Sequence, residues 1–212
     1  MKIVKQAAIL IGGKGTRLGD AVRNTPKPLL DVCGQPFVEH VMLNLRRFGF
    51  TEFVLLAGYQ SELVREKYGT NSPFARDLQA SIKVVVEPSP MGTGGALKYA
   101  REHLHDEFLL LNGDSIFDFN YLDLCNCSRE DEPEDWLCRV ALLAVENATR
   151  YGFVELDGPR ISAFREKPSE PKSGLINSGV YWLRSSMLDA IGDSPCSLEQ
   201  DVFPTLVREG RM

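Results

Sequence analysis

Short apolar runs alternate along the chain with stretches that carry a helical stripe. Residues 7–11 form one such run, Ala-Ala-Ile-Leu-Ile, which ends directly in glycines. That pattern predicts a strand buried on both faces whose C-terminal end opens into a loop. A helix is predicted over 36–48, with Pro36 suited to its first turn and Phe37, Val38, Val41, Met42, Leu45 and Phe48 on one stripe. Residues 53–57, 82–86 and 108–111 predict three more buried strands, with helices over 62–68 and 92–104 between them. Such alternation predicts parallel pairing, helices on both faces of the sheet, and ligands beyond the carboxyl ends of the strands. The loops at Gly12, Glu87 and Asp114 should meet there.

The second half reads differently. Residues 128–135 are acidic, contain Pro133 and lack apolar periodicity, so a solvated loop is predicted. Beyond it 137–145, 152–156, 161–164 and 175–183 predict strands, and the half is richer in sheet. Ser197 and Gln200 fit a capping box that opens a last helix, which Pro204 should bend. Neither a repeat nor a low-complexity linker divides the chain, so one domain is expected over 1–212, with halves of about 1–125 and 137–212.

Composition narrows the class. The 212 residues are 43% hydrophobic, 25% charged and 9% aromatic, as in a folded globule. The formal net charge of −5 argues against a duplex nucleic-acid binder, which must neutralise many phosphates. Five irregularly spaced cysteines fit reduced thiols better than a disulfide framework, and Cys125-x-Cys127 lacks a second pair for zinc. No apolar run reaches the length of a membrane span, so a cytoplasmic protein without membrane or nucleic-acid partners is expected. Oligomeric state stays open, a homo-oligomer included.

Chemistry concentrates in a few blocks. Gly12-Gly13-Lys14-Gly15-Thr16-Arg17-Leu18 follows the first strand, where glycines let backbone N–H groups approach a polyphosphate and Arg17 adds a planar charged fork. The block is neither a dinucleotide fingerprint, because Leu18 stands where glycine is needed, nor a P-loop, because Gly15 stands where Ser or Thr is needed. Pro26-Lys27-Pro28 follows, and its flanking prolines predict extended backbone that orders the lysine. His40, His103 and His105 are scattered and Ser115 lacks a nucleophile elbow, so none is a candidate base, ligand or nucleophile.

Six blocks together carry a resemblance: G-G-K-G-T-R-L, P-K-P-L-L, Glu87-Pro-Ser-Pro-Met-Gly-Thr-Gly-Gly-Ala96, L-N-G-D ending at Asp114, Phe164-Arg-Glu-Lys-Pro168 and Ile176-Asn-Ser-Gly-Val-Tyr181. In this order they resemble the sugar 1-phosphate nucleotidyltransferase family. The block at Glu87 and the short passage from Leu18 to Pro26 are most similar to guanylyltransferases acting on heptose or mannose 1-phosphate. The resemblance implies a Rossmann-like, mostly parallel sheet with flanking helices and a sheet-rich sugar-binding half. It implies that Gly12 and Gly13 face base and ribose, and that Gly15, Thr16 and Arg17 face the triphosphate. Glu87, Gly92 and Thr93 complete the nucleotide site. Asn112, Gly152, Glu166, Lys167 and Asn177 hold the sugar phosphate, and Asp114 binds magnesium. Arg17, Lys27, Asp114 and Lys167 are the implied catalytic set.

Physical chemistry supports that assignment. A sugar phosphate oxygen must attack the α-phosphorus of a nucleoside triphosphate in line with departing pyrophosphate, which asks for positioning and for cations between two anions. Glu87 favours GTP, because guanine presents adjacent N–H donors on its Watson–Crick edge and a carboxylate accepts both. The same reaction with UTP, dTTP or CTP and another hexose 1-phosphate is the alternative within the class. A nucleotide-binding regulatory subunit without turnover is the alternative outside it. One departure stands out: the family continues into a segment resembling F-I-D-I-G with a second metal carboxylate, and this sequence has none. Either the C-terminal end is missing, which is the expectation, or metal binding is weaker and rests on Asp114.

Overall fold

The fold is described from a computed structural model of the 212-residue chain, which describes residues 4–13, 25–126, 135–149, 153–165, 169–193 and 195–212. In chain order come strand β1 (Gln6–Leu10), a hairpin of β2 (Asp31–Val32) and β3 (Gln35–Pro36), helix α1 (Phe37–Arg47), β4 (Glu52–Ala57), α2 (Ser61–Tyr68), α3 (Pro73–Leu78) and β5 (Ser81–Val86). Then follow α4 (Gly92–Tyr99), β6 (Glu107–Asn112), α5 (Tyr121–Asn126), β7 (Cys138–Val145), β8 (Phe153–Asp157), β9 (Arg160–Arg165), β10 (Gly174–Arg184) and α6 (Phe203–Arg208).

Strands β5, β4, β1 and β6 lie side by side in that order and are all parallel. β10 then joins β6 antiparallel, and the sheet continues antiparallel through β8 and β9. β7 runs along the other flank of β10. The expected alternation therefore holds in the first half, and the sheet-rich second half grows onto its edge through one long shared strand.

Why residues 7–11 are apolar at every position follows from their neighbours. Ala7, Ile9 and Ile11 enter a core with the stripe of α1, and Ala8 enters a second core on the opposite face with Leu97 of α4 and Phe203 and Leu206 of α6. β10 keeps the same alternation, with Val180 and Trp182 in the first core and Tyr181 and Leu183 in the second.

Three expectations change. The helix predicted over 92–104 ends at Tyr99 and gives way to a 3-10 turn, Arg101–His103. Gln6, buried in β1, compensates that break: its amide donates to the His103 carbonyl at 3.0 Å and accepts the His105 N–H at 2.7 Å. Ser197 caps the last helical segment by accepting the Gln200 N–H at 3.2 Å, but the reciprocal bond to the Ser197 N–H comes from Asp201 at 2.7 Å, not from Gln200. The segment Leu198–Val202 is a π-turn, so Pro204 sits in the first turn of α6, where its missing N–H is harmless. The acidic loop lies outside the described residues except Asp135.

One polar pair is built into the first core. Glu39 of α1 is 5% exposed, and Tyr68 of α2 donates to it at 2.9 Å, with Lys67 at 3.4 Å. Burial, reinforced by the Glu39 charge, pushes the Tyr68 phenol far up, so it stays a donor. Tyr68→Phe strips the carboxylate of a buried donor and should cost about 1–2 kcal/mol, read as a fall of about 2–8 °C in the calorimetric Tm.

Candidate active site

The carboxyl ends of the four parallel strands converge because their ladder continues into the loops. Ile11 donates to the Leu56 carbonyl at 2.9 Å, Glu87 to Ala57 at 3.0 Å, Gly113 to Leu10 at 2.9 Å, and Tyr59 to Gly12 at 3.2 Å. Together they wall a cavity of about 690 Å³ whose lining includes Gly12, Gly13, Lys27, Glu87, Asn112 and Asp114. A second cavity of about 690 Å³ lies at Phe117, Trp136, Arg139, Leu142 and Ile161 and contains none of the motif residues. The chemistry belongs to the first, which the strand-end loops and the motif residues line.

Glycines set the shape of one wall. A Cβ at Gly12 would stand 3.1 Å from the Gly58 nitrogen and 3.4 Å from Glu87 Oε1, and a Cβ at Gly58 would collide with the same carboxylate. The half-buried Glu87 therefore fits against two bare backbones. Its Oε2 accepts the Met91 N–H at 3.0 Å, which folds the loop 88–91 around it. Burial pushes its carboxyl up, an effect opposed by the Met91 hydrogen bond.

Lys27 and Asp114 form the charged part of the wall. Lys27 Nζ lies 2.8 Å from Asp114 Oδ2, and Ser115 donates to Oδ1 at 3.3 Å. The extended backbone expected around Lys27 is found only at Pro26; Lys27 itself opens a 3-10 turn, Lys27–Leu29. The turn closes through Leu29 N–H to the Pro26 carbonyl at 2.8 Å, and Pro28 fits inside it because its missing N–H would have had no intrahelical partner. Both side chains are more than a third exposed, so the pair contributes at most about 1 kcal/mol to stability. Its importance is positional.

The sheet-rich half reaches the cavity through the segment 196–199. Gly94 donates to the Cys196 carbonyl at 3.0 Å, and Cys196 donates to Met91 at 3.0 Å. Thr93 donates to Glu199 Oε2 at 3.1 Å, and Leu198 N–H donates to Thr93 Oγ1 at 2.8 Å. Gly92 has φ +72, and a Cβ there would run into the Cys196 carbonyl oxygen. Across the site β10 bulges between Asn177 and Tyr181. Gly179 lies in that bulge, where its Cβ would be 2.5 Å from Asn112 Nδ2. Asn177 stands behind the wall, its amide tied to Tyr181 OH at 2.8 Å and to the Gly179 N–H at 2.8 Å.

The structure thus brings together Gly12, Gly13, Lys27, Glu87, Gly92, Thr93, Asn112 and Asp114, and places Asn177 two hydrogen bonds further back, through Tyr181 and Glu199. Gly15, Thr16, Arg17, Gly152, Glu166 and Lys167 lie outside the described residues. Sequence reasoning missed Gly58, Tyr59 and Glu199, all of which line the cavity. Gly58 follows an apolar strand just as Gly12 does, so the strand-end rule could have found it. Glu199 was hidden inside a capping pattern. The rejected decoys stay apart: His40 bonds the Val32 carbonyl at 2.8 Å, and His105 faces Glu52 at 3.2 Å. Burial pushes the Cys125 thiol up to about 12, far from a ready metal thiolate.

A parallel sheet ending in a glycine-lined cavity with a lysine, a glutamate and an aspartate defines an α/β protein whose ligand site lies beyond the strand ends. The chain belongs to the nucleotidyl transferase family, whose profile matches residues 6–211. It is similar to mannose-1-phosphate guanyltransferase beta-B of Xenopus laevis, 34% identical over 98% of this chain and 57% of that protein. The mannose-1-phosphate guanyltransferase of Schizosaccharomyces pombe is also 34% identical, again over 98% of this chain and 57% of that one. The chain thus spans a little over half the length of these curated relatives. Among solved structures, HddC from Yersinia pseudotuberculosis complexed with GMP-PN superposes with a TM-score of 0.80 at 27% identity, covering 95% of this chain and 86% of that one. A UDP-glucose pyrophosphorylase complexed with UDP-glucose shares the fold at TM-score 0.74 and 17% identity.

Proposed function

We propose that the protein joins GTP to a sugar 1-phosphate of the mannose or heptose type, releasing pyrophosphate and forming a GDP-sugar. The observation that carries this reading is the presence of Glu87 and the Lys27–Asp114 pair in the wall of one cavity at the strand ends. Relatives named for mannose 1-phosphate and a guanine-nucleotide complex of HddC support the base and the sugar class.

In this reading the half up to about residue 125 binds the nucleotide and the half from about 137 binds the sugar phosphate. Glycines 12 and 13 admit base and ribose close to the backbone, while Gly15, Thr16 and Arg17 take the triphosphate. Glu87 accepts the two adjacent guanine N–H donors, and each carboxylate oxygen retains a lone pair for that purpose beside the Met91 bond. Lys27 offsets charge on the reacting phosphates, and Lys167 with Glu166, Gly152 and Asn177 orients the sugar phosphate for in-line attack. No side chain has to act as nucleophile.

A divalent cation fits Asp114. Its carboxylate is 41% exposed at the cavity. Magnesium suits such a site, since it is held by one or two carboxylates with water and phosphate completing its shell. When bound it would supply a Lewis acid that offsets negative charge on the phosphates. Among the described residues no helix is long and apolar enough to cross a membrane.

Pyrophosphate release tests the reading, with GTP, UTP, dTTP and CTP each paired with mannose 1-phosphate and D-glycero-D-manno-heptose 1-phosphate. Turnover with GTP is expected; nucleotide binding without turnover for every pair overturns it in favour of a regulatory subunit. Glu87→Gln replaces an acceptor by a donor and should lower the preference for GTP over UTP by about 10- to 100-fold. Because burial raises the carboxyl, KM for GTP should rise on acidification at a higher pH than an ordinary glutamate would give, and Glu87→Gln should flatten that profile. An unchanged preference removes Glu87 from base recognition.

A further inference from the structure

One carboxylate in the cavity wall has no part in the chemistry above. Glu199 comes from the π-turn before α6, in the half opposite the nucleotide loop, yet its side chain sits at the N-terminal turn of α4. Its partners form a chain with a defined direction. Asn177 Oδ1 accepts the Gly179 N–H at 2.8 Å, which fixes the amide so that Nδ2 donates to Tyr181 OH at 2.8 Å. The phenol hydrogen must then go elsewhere, and it goes to Glu199 Oε1 at 3.3 Å. Glu199 Oε2 accepts from Thr93 Oγ1 at 3.1 Å and from Ser197 Oγ at 3.0 Å. A carboxylate only accepts, so it can terminate donors arriving from both sides.

We propose that Glu199 is a positioning residue that couples the sugar-phosphate side of the site to the nucleotide side, through the relay Asn177, Tyr181, Glu199 and Thr93. The proposal rests on the nucleotidyl-transfer reading for the names of the two sides. Tyr181 has no exposed surface, so the relay is shielded from water along its middle. Its nucleotide end is reinforced by the Gly94–Cys196 and Cys196–Met91 backbone bonds, and Met91 in turn bonds Glu87. Hydrogen bonds joined by the backbone of Met91, Thr93–Gly94 and Cys196 therefore run from the base-reading carboxylate to Asn177 on β10. Displacing either end shifts the other, and each substrate finds the partner's subsite already ordered.

The test compares Tyr181→Phe, Glu199→Gln and Glu199→Ala with the wild-type chain in steady-state kinetics with GTP and mannose 1-phosphate. Tyr181→Phe and Glu199→Ala should raise KM for both substrates by about 5- to 10-fold, the low end of a site-to-site coupling, with a much smaller change in kcat. Glu199→Gln keeps an oxygen acceptor for the phenol and should fall between wild type and Glu199→Ala. A rise confined to one substrate, or none, overturns the relay. Calorimetric titration of GTP alone, which needs no turnover, should show about 5-fold weaker binding in Tyr181→Phe, whose hydroxyl is two links from the nucleotide loop. Equal affinity overturns the relay. A wild-type chain that binds GTP without turnover instead overturns the proposed reaction, leaving the calorimetry to decide the relay. Should Tyr181→Phe fail to fold, Glu199→Gln, in the cavity wall, gives the same readouts.

Discussion

Asp114→Asn should lower kcat/KM for nucleotidyl transfer by about 10²- to 10³-fold. Asparagine keeps the shape: its carbonyl oxygen can still accept from Lys27 while its NH2 turns to the Ser115 hydroxyl, which can accept as well as donate, so the loop after β6 has no reason to move. What disappears is the negative charge that pairs with the lysine and that, in the proposed function, would hold a divalent cation. The ion pair is half-exposed, so thermal stability should change by less than about 1 kcal/mol. Steady-state rates across a magnesium titration check this. Loss of cation affinity predicts partial recovery at high magnesium, and an unchanged kcat/KM at all concentrations removes Asp114 from the catalytic set.

Gly92→Ala should be the most destabilising small substitution at the site. At φ +72 a side chain costs about 1–2 kcal/mol, and its Cβ meets the Cys196 carbonyl, which is backbone and is already bonded to Gly94. A total near 3 kcal/mol lowers Tm by about 6–12 °C. Gly94→Ala is the comparison: its Cβ would come within 2.6 Å of Cys196 Sγ, a side-chain atom that can rotate away, so its loss should be smaller. Equal Tm values for the two variants would mean that the close approach to Cys196 does not constrain the loop.

The two halves of the molecule differ in how plainly the chain announces them. Parallel strands such as 53–57 are covered on both faces, so their apolar runs stand out, and the loops after them could be expected to meet. Gly12, Glu87 and Asp114 do meet. The short helices Pro73–Leu78 and Tyr121–Asn126 were not legible, because six residues carry less than two turns of periodicity. The pairing partners of β10 were equally hidden, since apolar residues in a strand do not say which neighbours they meet. Glu199 escaped for a related reason: its role arises from Thr93 and Tyr181, which lie 106 and 18 residues away in the chain. A carboxylate two residues after a capping serine looks like an ordinary first-turn acid until the fold brings those hydroxyls to it.

β10 has a consequence for how the protein is made. β6 pairs with β1 on one side and with β10 on the other. Ribosomal synthesis therefore delivers the four parallel strands well before residues 174–184, and β6 waits with an open edge beside Leu109 and Leu111. Until the late strand arrives, that edge is a template for any extended chain nearby. Closure over so large a sequence separation is also slow. Substitutions that loosen β10 should thus first appear as lower soluble yield, ahead of any change in the chemistry that its bulge helps to organise.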